Sequence, residues 1–368
     1  MMRINTTTLV CLSALPLWLL VRYAQSNPHA TELFYSKYYY PFVLKIHQTL
    51  LGNIPFSVGD ILYLALLLLL TQFFIKKIPH WRIKPLSIFL DLFSIVIVLA
   101  WIFHLSWGFN YHRLPLNEQL GISLEYTEQD LDDRLDELIE MSNRSHSALS
   151  TSDTLAVKIP YSKEVLAEKI KLDFIFPDPM FLETSEVKKS LFSLPLSCMG
   201  FAGYLNPFTL ESQVNALMPK LSIITTAMHE MAHQLGHASE KEANFIAYLS
   251  AIKSSDPYFQ FAGHTFAFRY CYSEMKKIDP KKAAEKLKAL NPGIIKNFKA
   301  LSLFWKQYEN PFEFIFEKTY DSYLKANGQK TGIKSYNEMV GLVINYHKKQ
   351  INTEKVTQRP NNFTKKKI

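Results

Sequence analysis

Ile223-Ile224-Thr225-Thr226-Ala227-Met228-His229-Glu230-Met231-Ala232-His233-Gln234-Leu235-Gly236 is the stretch on which the reading of this chain turns. Apolar residues at 223, 224, 227, 228, 231, 232 and 235 recur at helical spacing, and Gly236 is a natural helix stop. Inside the helix stands an H-E-x-x-H pattern. Residues four apart share a helix face, so His229 and His233 can offer two imidazole nitrogens to one tetrahedral zinc ion. Glu230 then lies beside the metal, where its carboxylate can act as general base on a water and pass the proton to a leaving amine. The plainer alternative is a pair of surface or capping histidines near a helix end.

A catalytic zinc needs a third protein ligand, with the fourth position left for water or substrate. His237 lies one turn further on, but Gly236 is expected to bend the chain away before it. Ser239 stands where a third histidine would follow the turn glycine, so a three-histidine arrangement fails. Glu240 and Glu242 open the next helix. Glu242 is in step with Phe245, Ile246 and Leu249, which places it on the buried face and makes it the expected ligand, with Glu240 as the alternative. Ser239 to Glu242 also has the S-x-x-E form of a capping box, in which Glu242 would only return a hydrogen bond to the backbone. For an oxyanion, Tyr248, Tyr258, His264 and Tyr270 are available on the following helices.

Upstream, residues 213–217 alternate as a short strand before Pro219. An edge strand there could pair with extended peptide. Further helices are expected at 162–174, 243–252, 259–277, 280–290, 293–309 and 335–349. Thr127-Glu128-Gln129-Asp130 resembles a capping box ahead of Leu131, Leu135, Leu138 and Ile139. Between these, Pro177, Pro179 and Pro195 punctuate a looser region that runs on to Gly200 and Gly203.

The first hundred residues have a different solvent in view. Stretches at about 4–21, 54–75 and 88–108 are long and apolar enough to cross a bilayer, with Asp60 and Asp91 at headgroup or capping positions. The first could instead be a signal peptide with small residues near Ala24-Gln25-Ser26. Lys76, Lys77, Arg82 and Lys84 fill a short connection that should stay in the cytoplasm, and Trp101, Trp107 and Tyr111 form an aromatic belt where the third span exits. In a bacterium with two membranes this places residues 109–352 in the periplasm, above a membrane region at 1–108. Residues 353–368 read as a polar, disordered tail.

Composition is compatible with this division: 48% hydrophobic residues concentrated at one end, and a net charge of +8 from scattered basic residues and a terminal Lys365-Lys366-Lys367, which does not indicate nucleic acid. Cys11, Cys198 and Cys271 fit no metal-binding spacing. Cys198 and Cys271 could pair only in an oxidising compartment.

Taken together, Ile54-Pro55-Phe56-Ser57, Trp107-Gly108-Phe109-Asn110-Tyr111-His112-Arg113, Gly203-Tyr204-Leu205-Asn206-Pro207-Phe208, the run from His229 to Phe245, and Ser335-Tyr336 resemble a family of three-span bacterial membrane proteins with a zincin-like outer domain and no characterised substrate. More distantly, two histidines with a downstream glutamate look like the gluzincin class, though the gap from His233 to Glu242 is shorter than in many gluzincins. The expectation is therefore a mainly α protein: three transmembrane helices, then a helical zincin-like metallopeptidase domain with a small strand element. It would be a Zn(2+)-dependent hydrolase of the inner membrane acting on envelope proteins or peptides, with His229, His233 and Glu242 as ligands and Glu230 as base. The alternative is a non-catalytic membrane-anchored scaffold or binding protein of the same shape. An intramembrane protease is disfavoured, because the motif helix carries too many polar groups to face lipid.

Overall fold

A computed structural model of the chain describes residues 5–174 and 186–357. Pro177, Pro179 and the terminal lysines lie outside the described residues. The fold is mainly α, with three apolar helices at the N-terminal end and a small sheet.

Three described helices are long and apolar enough to cross a membrane, Thr6–Ser26, Val58–His80 and Pro85–Ser106. Each has a local reason for where it begins or ends. The first is interrupted by a turn at Ser13. Ser57 caps the second, its hydroxyl accepting from Asp60 N at 2.9 Å, and Pro85 opens the third at a position where its missing N–H costs no helical bond. Lys77 pairs with Asp91 at 2.8 Å near the connection between the second and third.

Between the first two spans lies a helical run not anticipated from the sequence: Pro28–Ala30, a π-helical stretch Thr31–Tyr39, and Tyr40–Leu51.

The remainder is built around three consecutive helices, Lys220–Gln234, Glu240–Lys253 and Pro257–Ile278, with Glu128–Leu149 packed along the last of them. The Thr127–Asp130 capping box is present, and Leu131, Leu135, Leu138 and Ile139 are buried as their spacing requires. In Lys163–Asp173 the core takes Leu166 and Ile170, while Val165 and Leu172 face out. Met228 and Met231 of Lys220–Gln234 are fully buried, each burial contributing roughly 1.5–3 kcal/mol. Helix Met339–Thr357 runs through the expected boundary at 352, and Glu313–Ala326 is a second helix the sequence reading did not identify. Cys198 and Cys271 are separate thiols, Cys271 inside the core.

The sheet has strands β1 (Val187–Lys189), β2 (Gly203–Asn206) and β3 (Glu211–Val214) in the order β1-β3-β2. β3 is parallel to β1 and antiparallel to β2. The strand expected at 213–217 is thus shifted to Glu211–Val214, and it is central where an edge strand was expected. The edge near the motif helix is β2, whose Gly203 faces Val214 in register.

Candidate metal centre

The motif helix is buried on nearly all sides, against the sheet on one side and against Glu240–Lys253 and Pro257–Ile278 on others. It ends where expected. Gly236 has φ +83°, a left-handed conformation that suits glycine, and His237 N donates back to Ala232 O at 3.1 Å. This turn sends the chain back, so that the first residue of the next helix, Glu240, meets the histidines.

His229 Nε2 lies 3.1 Å and His233 Nε2 3.4 Å from Glu240 Oε2, and the three ligand atoms fall within 4.8 Å of one another. Two ligands each about 2.0–2.1 Å from a tetrahedral zinc should lie about 3.3 Å apart, so the spacing fits. The imidazoles are turned the right way. Nδ1 of His233 donates to His237 O at 2.6 Å, and Nδ1 of His229 meets Asn244 Oδ1 at 2.8 Å, leaving both Nε2 atoms facing inward. Asn244 is itself fixed, because its Nδ2 donates to Tyr270 OH and Tyr336 O. Glu240 Oε1 accepts from Tyr320 OH at 2.8 Å. Two nitrogens and one carboxylate oxygen, buried and held by outer partners, are a donor set suited to a divalent transition metal such as zinc.

Glu242 is not part of this cluster. Residues two apart on a helix do not face the same way, so only one of Glu240 and Glu242 can reach the histidines. Glu242 is buried, as its spacing implied, but its carboxylate accepts from Leu116 N at 2.8 Å and meets His237 Nδ1 at 3.2 Å. Nor does it close a capping box, since the Ser239 side chain makes no cap bond. The carboxylate that joins the two histidines is thus Glu240, the alternative, and not Glu242 as expected. His237 is turned to Glu242, as the bend at Gly236 requires.

Glu230 is adjacent, buried, with Oε2 lacking a hydrogen-bond partner among the described residues. Burial raises its pKa to about 7 against the opposing pull of His229 and His233. Burial disfavours the charged form of His233, but the charge and hydrogen bond of Glu240 outweigh it and raise that histidine to about 9. For Glu240 burial is likewise overcome, by His233 and His229, and its pKa falls below the usual carboxylate range.

The cluster opens into a cleft of about 840 Å³ lined by His229, Glu230, His233 and Glu240, by residues 203–205 of β2, and by aromatic side chains including Tyr63, Phe201 and Phe266. Gly203 packs directly on Glu230: a Cβ there would stand 2.8 Å from Glu230 Oε1 and 2.6 Å from Gln213 O. Of the four residues considered for an oxyanion, only Tyr270 lines the cleft. Tyr248 is in the core, held by Arg134 and His347. The sequence reading missed Tyr320, from an unidentified helix, and did not assign a role to Tyr336, whose ring stacks on His229 at 6.0 Å between centroids.

Scattered segments meet at this one place. Trp107 Nε1 donates to His233 O at 2.9 Å, Arg113 Nη1 donates to Gly236 O at 3.1 Å, and the Tyr204 hydroxyl donates to Asp60 at the head of the second span. Residues 35–344 match the model of a family described as "Protein of unknown function (DUF3810)". The chain belongs to this family. The match runs from the helical stretch Thr31–Tyr39 into Met339–Thr357, so it takes in the second and third spans, the motif helix and all the groups around it. No curated protein and no solved structure matches the chain.

Proposed function

We propose that the protein is a membrane-anchored zinc metallopeptidase with a zincin-like outer domain, hydrolysing peptide bonds of envelope proteins or peptides. The observation that carries this reading is the convergence of His229 Nε2 and His233 Nε2 on Glu240 Oε2, all three within 4.8 Å of one another, beside a carboxylate oxygen of Glu230 that has no partner among the described residues. His229, His233 and Glu240 would hold the ion. Zinc, when bound, supplies Lewis-acid polarisation of a carbonyl and lowers the pKa of water.

The chain's own groups supply the rest. Glu230 takes the proton of the attacking water and returns it to the leaving amine. The edge of β2, unpaired among the described residues, offers backbone donors and acceptors to an extended peptide lying over Glu230, which suits a polypeptide substrate. Tyr270, Tyr320 and Tyr336 line the same cleft and are the candidates for stabilising developing negative charge.

The ends of the spans at Ser26, Val58 and Ser106 adjoin the outer domain, and the basic connection 76–84 is at the other end of the second and third spans. The reading follows that the basic end is cytoplasmic and the cleft lies on the outer side of the inner membrane, the periplasmic side in a two-membrane bacterium.

The test uses the full-length protein in detergent, with metal content measured by mass spectrometry and hydrolysis followed on fluorescent casein and on a quenched peptide library. About one zinc per chain, with Glu230→Gln retaining metal and losing hydrolysis, is the expected result. Folded wild type that binds no divalent metal would sink the proposal.

A further inference from the structure

The run Pro28–Leu51 has two faces of opposite character. Glu32, Ser36, Tyr40 and Leu44, four apart, are buried against the rest of the protein. On the other side Phe34, Tyr38, Phe42, Ile46 and Leu50, also four apart, are 68%, 82%, 65%, 41% and 69% exposed. A row of this size, mostly aromatic, is unusual on a surface that faces only water.

Its position restricts what can cover it. The run starts directly after the first span and is joined by residues 52–57 to the start of the second. At 1.5 Å per residue it is roughly 36 Å long. The connection 52–57 reaches about 20 Å when fully extended. The far end therefore stays close to the level at which the second span begins, and the run lies along that level at a shallow angle. Tyr35 OH donates to His104 O and Leu105 O, both at 3.0 Å, which ties it to the outer end of the third span as well.

We propose that Pro28–Leu51 is an interfacial membrane helix, with the face of Phe34, Tyr38, Phe42, Ile46 and Leu50 embedded among the lipids of the leaflet on the domain's side. The run follows the first span directly in the chain and is bonded to the end of the third, and Tyr38 and Tyr39 are the amphipathic aromatics favoured at headgroup depth. The buried face reaches the metal-site turn. Tyr40 OH donates to Gln234 O; Ser36 Oγ donates to Asn110 Oδ1 at 2.9 Å; Glu32 takes two bonds from Arg113, which in turn donates to Gly236 O. Lipid on one side of this helix thus supports, on its other side, the turn that brings Glu240 to the histidines.

The test is photo-crosslinking of the full chain in nanodiscs of phosphatidylethanolamine and phosphatidylglycerol, with benzoyl-phenylalanine placed at Tyr38 or Phe42 and, as control, at Leu172, which is 82% exposed on the outer domain. Lipid adducts at 38 and 42 with none at 172 are expected. Both test positions are exposed, so the probe should not disturb folding, and circular dichroism checks this for each. Absence of lipid adducts at both, or crosslinks there only to a second copy of the chain, overturns the proposal. The readout does not depend on any enzymatic activity.

Discussion

Glu240 and Glu242 are two residues apart on one helix, and the structure gives them separate tasks that substitution should separate. Glu240→Gln keeps volume and the capacity to accept from Tyr320 OH, but it replaces the anionic oxygen that sits 3.1 and 3.4 Å from the two Nε2 atoms. Loss of a group that merely orients a ligand costs about 10–100-fold in metal affinity, so loss of a ligand itself should exceed about 100-fold, or ~2.7 kcal/mol. Glu242→Gln should leave metal affinity within a few fold. Its carboxylate serves Leu116 N and His237, and exchanging two charge-assisted bonds for neutral ones should cost about 1–3 kcal/mol of folding stability. The assay is competition for zinc against a fluorescent chelator, with thermal unfolding of the same samples. Metal lost on Glu242→Gln and retained on Glu240→Gln would refute the assignment, and with it the argument from i, i+2 geometry.

Metal binding should be strongly pH-dependent. With its pKa raised from 6.5 to about 9 by the pair with Glu240, His233 contributes stability to the apoprotein that is fully present below about pH 6.5 and lost as pH rises through about 9. Zinc has to displace that proton, so affinity should climb about tenfold per unit between roughly pH 7 and 9 and level off above; calorimetry in two buffers of different ionisation enthalpy counts the proton, and a flat profile contradicts the pairing. Gly203→Ala should reduce hydrolysis while zinc content is unchanged, because the atoms nearest the added methyl are Gln213 O and the Glu230 side chain. Equal loss of metal and activity in that variant would place the clash elsewhere.

Much of the architecture was legible because it rests on local signals. The H-E-x-x-H pair, the glycine stop, the Thr127 cap and the apolar spans are each determined by neighbours within a turn or two, and the structure has all of them. Glu242 shows where such signals run out. Its spacing correctly implied burial, but burial says only that a carboxylate has partners, and those were Leu116 N and His237, set by tertiary contacts. Glu240 carried no periodic signal, since it stands at the first position of its helix and reaches the histidines through the turn at Gly236. Tyr320 was hidden for a related reason. In Glu313–Ala326 Phe316, Tyr320 and Leu324 do recur four apart, but only Leu324 is fully buried and Phe314 and Ile315 beside the row face out, which blurs the stripe; the helix borders the cleft instead of the core.

The spans, too, prove to be more than tethers. Glu211 of the central strand accepts from Val58 N and Gly59 N, satisfying orphan donors at the start of the second span, while Lys188 of β1 donates to the same carboxylate and to Leu51 O. In the opposite sense Asp60 of that span accepts from Leu191 N, Ser190 Oγ and Tyr204 OH in the outer domain. Asp60 is thus held by donors of the other half, and Glu211 is shared between the halves, with Val58 N and Gly59 N on one side and Lys188 Nζ and Thr209 Oγ1 on the other. Leaving a buried charge without its partners costs about 3–5 kcal/mol, against a total of about 5–15 kcal/mol for a typical domain. Dividing the chain at residue 108 would take Leu191 N, Ser190 Oγ and Tyr204 OH from Asp60, take Val58 N and Gly59 N from Glu211, and remove Trp107 from the carbonyl of His233. The head of the second span, the sheet edge over Glu230 and the end of the motif helix therefore form one continuous hydrogen-bonded body, and the membrane region belongs to the scaffold that holds the site.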